Sequence, residues 1–365
     1  MMFRFSLPSI LLLAMTAPLT VAASSAGPVT LPMPQFRYET DWLKLPAGLT
    51  MGEVVAVAVD GRDHVWVLHR PRTVKDRDPA QVAPPIAEFD EQGRYLRGFG
   101  GPAEGYEWPG SEHSLAVAAN GEVWIGGNDR SAGHGDDMIL VFSRDGRFLR
   151  QIGRRGATRG NFDRRNFHAP GDIFVDDRAR EVYVADGYGN QRLVVLSQRD
   201  KAFLRQWGAY GAPPPEQAPS PAPQKQMPVS GEAKDFEGVH GVERARDGTV
   251  YVSDRGHQRI QAFTATGKFL GEVVVNRGLA NPLTVSGITF SRDPDQRYLF
   301  TADWGNGMMV VIDRKRLRVI GTIGQAGTGP GEFKGPHLID SDSRGVIYVA
   351  EVQGRRLQRL VPVDR

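Results

Sequence analysis

After residue 50 the chain reads as short runs of β-branched and aromatic residues, cut at intervals by Asp-Gly or Asn-Gly turns. Val55-Ala56-Val57-Ala58-Val59-Asp60 followed by His64-Val65-Trp66-Val67 opens the first unit, and Leu115-Ala116-Val117 with Val123-Trp124-Ile125 the second. Ile173-Phe174-Val175 with Val182-Tyr183-Val184, and Gly241-Val242-Glu243 with Val250-Tyr251-Val252, open the third and fourth. Ile288-Thr289-Phe290 with Tyr298-Leu299-Phe300, and Leu338-Ile339-Asp340 with Ile347-Tyr348-Val349, open the last two. Such runs bounded by glycine turns predict short antiparallel strands. The outer halves repeat as well: Glu88 to Leu96, Val141 to Leu149 and Ala262 to Leu270 are versions of one hairpin.

Four strands per unit, at a period of about 40–50 residues, is the spacing of a β-propeller blade. The expected fold is therefore all-β, a six-bladed propeller of four-stranded antiparallel blades. The sixth unit stops after its third strand, at Leu357 to Val363, and an extended segment, Phe36 to Leu45, stands unassigned at the other end. That segment is expected to supply the missing strand and close the ring. Two insertions interrupt the period, Thr73 to Pro85 and Pro213 to Pro228; seven prolines in the second make it a surface loop rather than a core strand.

The start of the chain changes the picture of where the protein works. Arg4 precedes an apolar stretch from Ile10 to Met15 that is too short to span a bilayer, and small residues follow through Ala23. Residues 1–23 are expected to be an export signal cleaved near Ala23 or Ala26, residues 24–35 a linker, and residues 36–365 a single propeller in a periplasmic or secreted protein. There is no cysteine, so stability rests on packing and cysteine chemistry is excluded. The 45 Lys and Arg against 42 Asp and Glu are scattered, giving no footprint for nucleic acid. No second stretch has spanning length, so stable membrane insertion is not expected.

Aligning the units on their innermost strands gives six equivalent positions: Val55, His113, Gly171, His240, Ser286 and His337. Histidines fill alternate ones, which six-fold pseudo-symmetry places about 120° apart at the inner rim of one face. Three neutral imidazoles with a fourth position open describe a catalytic zinc site better than a structural one, although other imidazole-binding metals fit the same pattern. Arg70 and Tyr188 fall in strand two-to-three loops on that face. An Arg there suits a substrate carboxylate, and a Tyr beside a divalent cation can act as a base. Asp186 with Arg192, and Asp254 with Arg259, are expected to tie each loop to its own blade. Gly324 to Gly331 has the composition of a phosphate loop but lacks the Lys-Ser/Thr and leads into a strand, which excludes that role. His64, His69, His134, His168 and His257 share no register and are expected to pack or face solvent.

The blades resemble NHL repeats across nearly the whole mature chain. More narrowly, five segments resemble the lyase domain of peptidylglycine α-amidating enzymes: Leu68-His69-Arg70, Glu112-His113-Ser114-Leu115, Asp186-Gly187-Tyr188-Gly189-Asn190-Gln191-Arg192, Val239-His240-Gly241 and Gly335-Pro336-His337. The resemblance implies zinc on the three histidines, catalytic roles for Arg70 and Tyr188, and cleavage of a peptidyl-α-hydroxyglycine to a C-terminal amide and glyoxylate. It implies a calcium in the channel on the backbones of Val55 and Leu115, yet Leu338 stands where that family has the carboxylate ligand. Gly335 replaces the family's Met, its disulfides are absent, and no copper monooxygenase is attached. The expected substrate is thus a carboxylate-bearing N-acyl carbinolamide, peptidic or small, with a separate monooxygenase as a partner that supplies it. Two other readings use the same residues differently: a metal-dependent hydrolase such as a lactonase, and a non-catalytic propeller that binds a protein or glycan.

Overall fold

Six four-stranded antiparallel sheets are the architecture, each formed by strands consecutive in sequence except the last. The computed structural model describes Met1, residues 31–216 and residues 233–363. The expected export signal and the greater part of the Pro213 to Pro228 insertion lie outside them. Blade 1 runs Glu53–Val59, Val65–Arg70, Ile86–Phe89 and Tyr95–Phe99. Blades 2 to 5 begin on Glu112–Val117, Asp172–Asp176, Val239–Arg244 and Ile288–Phe290. Blade 6 contributes Pro336–Ser341, Ile347–Glu351 and Arg356–Pro362, and its outer strand is Phe36–Glu39. Phe36 pairs with Pro362 and Glu39 with Arg359, so the N-terminal segment closes the ring as expected. The innermost strands touch their neighbours in a closed circuit.

Period-two alternation gives the second and third strands of each blade two buried faces, one toward each neighbouring blade, while the outermost strands are partly exposed. The apolar core is accordingly divided into layers between blades. Trp66, Leu68 and Ile86 meet Val123, Ile125 and Leu140 between blades 1 and 2. Tyr348 and Leu357 meet Val57 and Val65, with Trp42 over them, between blades 6 and 1. Trp66 and Trp124 are completely buried, each removing about 150–250 Å² from water. Polar staples hold the loops on one face: Arg192 Nε donates to Asp186 Oδ2, Arg259 Nε to Asp254 Oδ2 and Arg356 Nε to Glu351 Oε1, all at 2.8 Å. The first two are the ties expected from the sequence, across separations of six and five residues.

Two features go beyond the pattern. The Thr73 to Pro85 insertion folds into two short 3-10 turns, Pro71–Thr73 and Pro79–Gln81. The glycine-rich stretch before blade 6 forms a small parallel ribbon, Gln325–Ala326 against Glu332–Phe333, and continues into a strand, consistent with its rejection as a phosphate loop. Among the described residues no helix is long and apolar enough to cross a membrane.

Candidate metal centre

The strand register breaks where the histidines stand. Pairing of the first two strands slips between Glu112 and Ser114 in blade 2, between Val239 and Val242 in blade 4, and between Pro336 and Ile339 in blade 6. His113, His240 and His337 lie within these bulges, and a bulge turns a side chain out of the strict in–out alternation. Their side-chain nitrogens lie within 4.8 Å of one another, and their ring centroids are 4.6 to 5.1 Å apart. His240 Nε2 and His337 Nε2 are separated by 3.1 Å.

The alternating blades supply the anchors. His113 Nδ1 is 2.8 Å from Gly171 O, and His337 Nδ1 is 2.6 Å from Val55 O. His240 Nδ1 lies near Ser286 O without a hydrogen bond of normal geometry. Val55, Gly171 and Ser286 are the register positions of the three blades that lack histidine, so each imidazole leans on the backbone of the next blade. An Nδ1–H donated to a carbonyl leaves Nε2 as the free lone pair, the arrangement that orients an imidazole toward a metal. Burial is the main cause that holds all three imidazoles below the ordinary histidine range, His337 to about 3; the charges of Arg70 and Arg255 and mutual repulsion lower them further. They are neutral at neutral pH, as ligation requires. Converging imidazoles, with His240 Nε2 and His337 Nε2 3.1 Å apart and His113 and His337 fixed from behind, fit a cation bound by three nitrogens.

The calcium set fits less well. Val55, Leu115 and Leu338 pack in one apolar cluster, and Val55 O already accepts from His337. The residues present do not fit a calcium ion. One other group has ligand spacing among the described residues, Asp60, His64 and Glu88. Arg144 pairs with both carboxylates and Arg97 with Glu88, so that group is an ion network between blades 1 and 2.

Tyr188 reaches the centre from blade 3, its hydroxyl 2.9 Å from His113 Nε2. Its approach depends on Gly187, where a Cβ would collide with the backbone of Val239 in blade 4. The loop is held beneath by Asp186, which accepts from His168 N, Asn190 Nδ2 and Arg192 Nε, each at 2.8 Å. Arg70 ends the second strand of blade 1. Its guanidinium donates to Glu112 O at 2.9 Å, Glu53 Oε2 at 3.0 Å and Asn128 Oδ1 at 3.4 Å, which fixes its plane beside the histidines. The other five histidines stand apart; His69 is buried in blade 1, with Nε2 on Pro84 O and Nδ1 accepting from Gly52 N.

Sequence reading missed Arg255. It is buried in the strand two-to-three loop of blade 4, donates to the Tyr188 hydroxyl at 3.2 Å and lies 5.5 Å from the Trp304 ring centre. The signal was available: it occupies the same loop of blade 4 that carries Arg70 in blade 1 and Tyr188 in blade 3. Glu53 and Asn128 had no such signal, because only the folded ring brings them to Arg70.

No protein-family model matches the chain. Human NHL repeat-containing protein 3 is 27% identical over 339 residues, 90% of this chain and 85% of that protein. Peptidyl-glycine alpha-amidating monooxygenase B of Xenopus laevis is 27% identical over 251 residues, 64% of this chain but 25% of that protein. The rat peptidylglycine alpha-amidating monooxygenase is 26% identical over 257 residues, again covering 64% of this chain and 23% of the relative. Among solved structures, virginiamycin B lyase from Staphylococcus aureus superposes with a TM-score of 0.54 at 15% identity, over 90% of this chain and all of that one. A streptogramin B lyase gives 0.53 at 14%, covering 90% of this chain and 98% of that one. At these identities the two structures establish the propeller fold alone.

Proposed function

Starting from an NHL-repeat six-bladed propeller that resembles the lyase domain of the amidating enzymes, we propose that the protein is an exported zinc lyase. It would cleave an N-acyl-α-hydroxyglycine to an amide and glyoxylate. The observation that carries this reading is the set of three converging imidazoles, two of them anchored to backbone carbonyls, with the Tyr188 hydroxyl 2.9 Å from one of them.

His113, His240 and His337 would hold the zinc, which when bound would supply Lewis acidity at the substrate hydroxyl. Tyr188, as the phenolate, would take the hydroxyl proton. Arg255, which donates to the Tyr188 oxygen, would stabilise negative charge on that phenolic oxygen. Arg70 would hold the substrate carboxylate through its planar fork and so fix which hydrogen-bearing oxygen faces Tyr188. As the proton leaves, the hydroxyl oxygen forms a carbonyl, the C–N bond breaks, and its electron pair stays on nitrogen. That nitrogen regains one proton to become the amide. The reaction is redox-neutral and consumes no water, which separates it from a hydrolase using the same metal ligands.

Glyoxylate release from N-acetyl-α-hydroxyglycine by the zinc-loaded mature protein tests this. Release that Tyr188→Phe lowers by about 10²–10⁴-fold, and that His337→Ala abolishes, is the expected result. A zinc-replete protein that hydrolyses lactones and yields no glyoxylate would overturn the lyase.

A further inference from the structure

We propose that a groove between blades 1 and 2 binds the acyl half of the substrate and selects an apolar hydrocarbon chain over a peptide, an inference that rests on the lyase reading for what occupies it. The groove has a volume of about 490 Å³, within the roughly 300–1,000 Å³ of small-molecule sites. Its outer wall is the Thr73 to Pro85 insertion, through Val74, Pro79 and Val82; its other wall carries Pro102, Trp108 and Pro109. Its inner end is Pro71 and Glu112, the immediate neighbours of Arg70 and His113. Arg70 itself donates to Glu112 O, which sets that end of the groove beside the residue that would clamp the carboxylate.

Two features decide its chemistry. Five lining residues are prolines, Pro71, Pro79, Pro85, Pro102 and Pro109, which offer no N–H to an extended peptide backbone. Arg72, on the rim, spends its guanidinium on Gly110 O and Ser111 Oγ. A peptide in this groove would forfeit hydrogen bonds that water supplies, whereas a hydrocarbon chain loses none. Glu112 provides the second feature. It is 5% exposed, its Oε1 accepts from Trp108 Nε1 at 2.9 Å, and its Oε2 is buried with no partner. An unfilled acceptor on the residue that both lines the groove and gives its backbone carbonyl to Arg70 matches the one amide N–H that lies between the acyl chain and the carboxylate of an N-acylglycine skeleton. Insertion, prolines and Glu112 together specify an N-alkanoyl compound.

The test separates the groove from the lyase. Binding of unreactive N-decanoylglycine and N-acetylglycine, below micellar concentrations, is measured by calorimetry on the zinc-loaded protein. Glyoxylate release is then measured with the matching α-hydroxy compounds. Each buried methylene is worth up to about fourfold, so the decanoyl ligand should bind at least about 100-fold more tightly than the acetyl one. Val82→Trp, which fills the groove, and Val74→Asp, which charges it, should each erase that preference while leaving turnover of the acetyl substrate unchanged. Chain-length-dependent binding without glyoxylate release would sustain the groove and sink the lyase. Glyoxylate release with equal affinity for both acyl lengths, or a variant that weakens both ligands alike, would overturn the groove.

Discussion

Replacing Arg192 with Met tests how the fold delivers Tyr188. Arg192 and Asp186 are both fully buried, and the guanidinium donates five hydrogen bonds: to Asp186 Oδ2, Asn161 O, Asp163 O, Asn166 O and Gln206 Oε1. Met preserves much of the volume but leaves the Asp186 carboxylate without its cation and Asp163 O, Asn166 O and Gln206 Oε1 without a donor, while Asn161 O keeps Gln206 Nε2. Breaking a buried pair from one side costs about 3–5 kcal/mol, and Asp186 retains His168 N and Asn190 Nδ2, which places this case near 4 kcal/mol. At about 2–4 °C per kcal/mol for a chain of this size, Tm should fall by roughly 8–15 °C. Scanning calorimetry reads the shift, and Asp186→Leu added to Arg192→Met should recover part of it if the abandoned charge dominates. The three histidines stand on other blades, so zinc content should remain one per chain while kcat drops with the loosened Tyr188 loop. A Tm within 2 °C of wild type, or zinc lost with activity, would refute the account of this loop as an independently stapled carrier of Tyr188.

His69 gives a pH signature away from the metal. Burial depresses it from 6.5 to about 4, and its neutral ring accepts from Gly52 N. The unfolded chain therefore binds this proton at higher pH than the folded one. The contribution, about 3 kcal/mol, is fully present above pH 6.5 and disappears as pH falls toward 4. Urea melts across pH 4 to 7 should show a steep loss in the zinc-loaded wild type that is flatter in His69→Gln; parallel curves would contradict the assignment. Arg70→Lys keeps the charge but loses the fork to Glu53, Glu112 O and Asn128. It should cost about 10- to 100-fold in kcat/KM, with less effect on a substrate whose carboxylate is replaced by a neutral amide. An equal loss on both substrates would remove the carboxylate clamp.

Much of this was legible in the chain because propeller blades repeat. One misread strand could not shift the period, and the alternation survived into the structure, where His113 and His337 are hydrogen-bonded to Gly171 O and Val55 O and His240 lies near Ser286 O. The closing strand Phe36–Glu39 was legible by subtraction, since blade 6 lacked one. What stayed hidden depended on three dimensions. The bulges that re-aim the histidines have no marker residue, and Glu53 and Asn128 reach Arg70 only through ring closure. Arg255 has no motif of its own and is marked only by its loop, the blade 4 counterpart of those that carry Arg70 and Tyr188. The groove at Glu112 needs two segments 30 residues apart to face each other, which no local pattern announces.

The most direct measurement is the metal content and X-ray absorption of the purified protein beside His113→Ala, His240→Ala and His337→Ala. The account predicts one zinc per chain in the wild type, with imidazole nitrogens at about 2.0–2.1 Å, and its loss in all three variants alike. Stoichiometric zinc retained in any one of them, or a shell of oxygens alone, would contradict a centre built on three histidines.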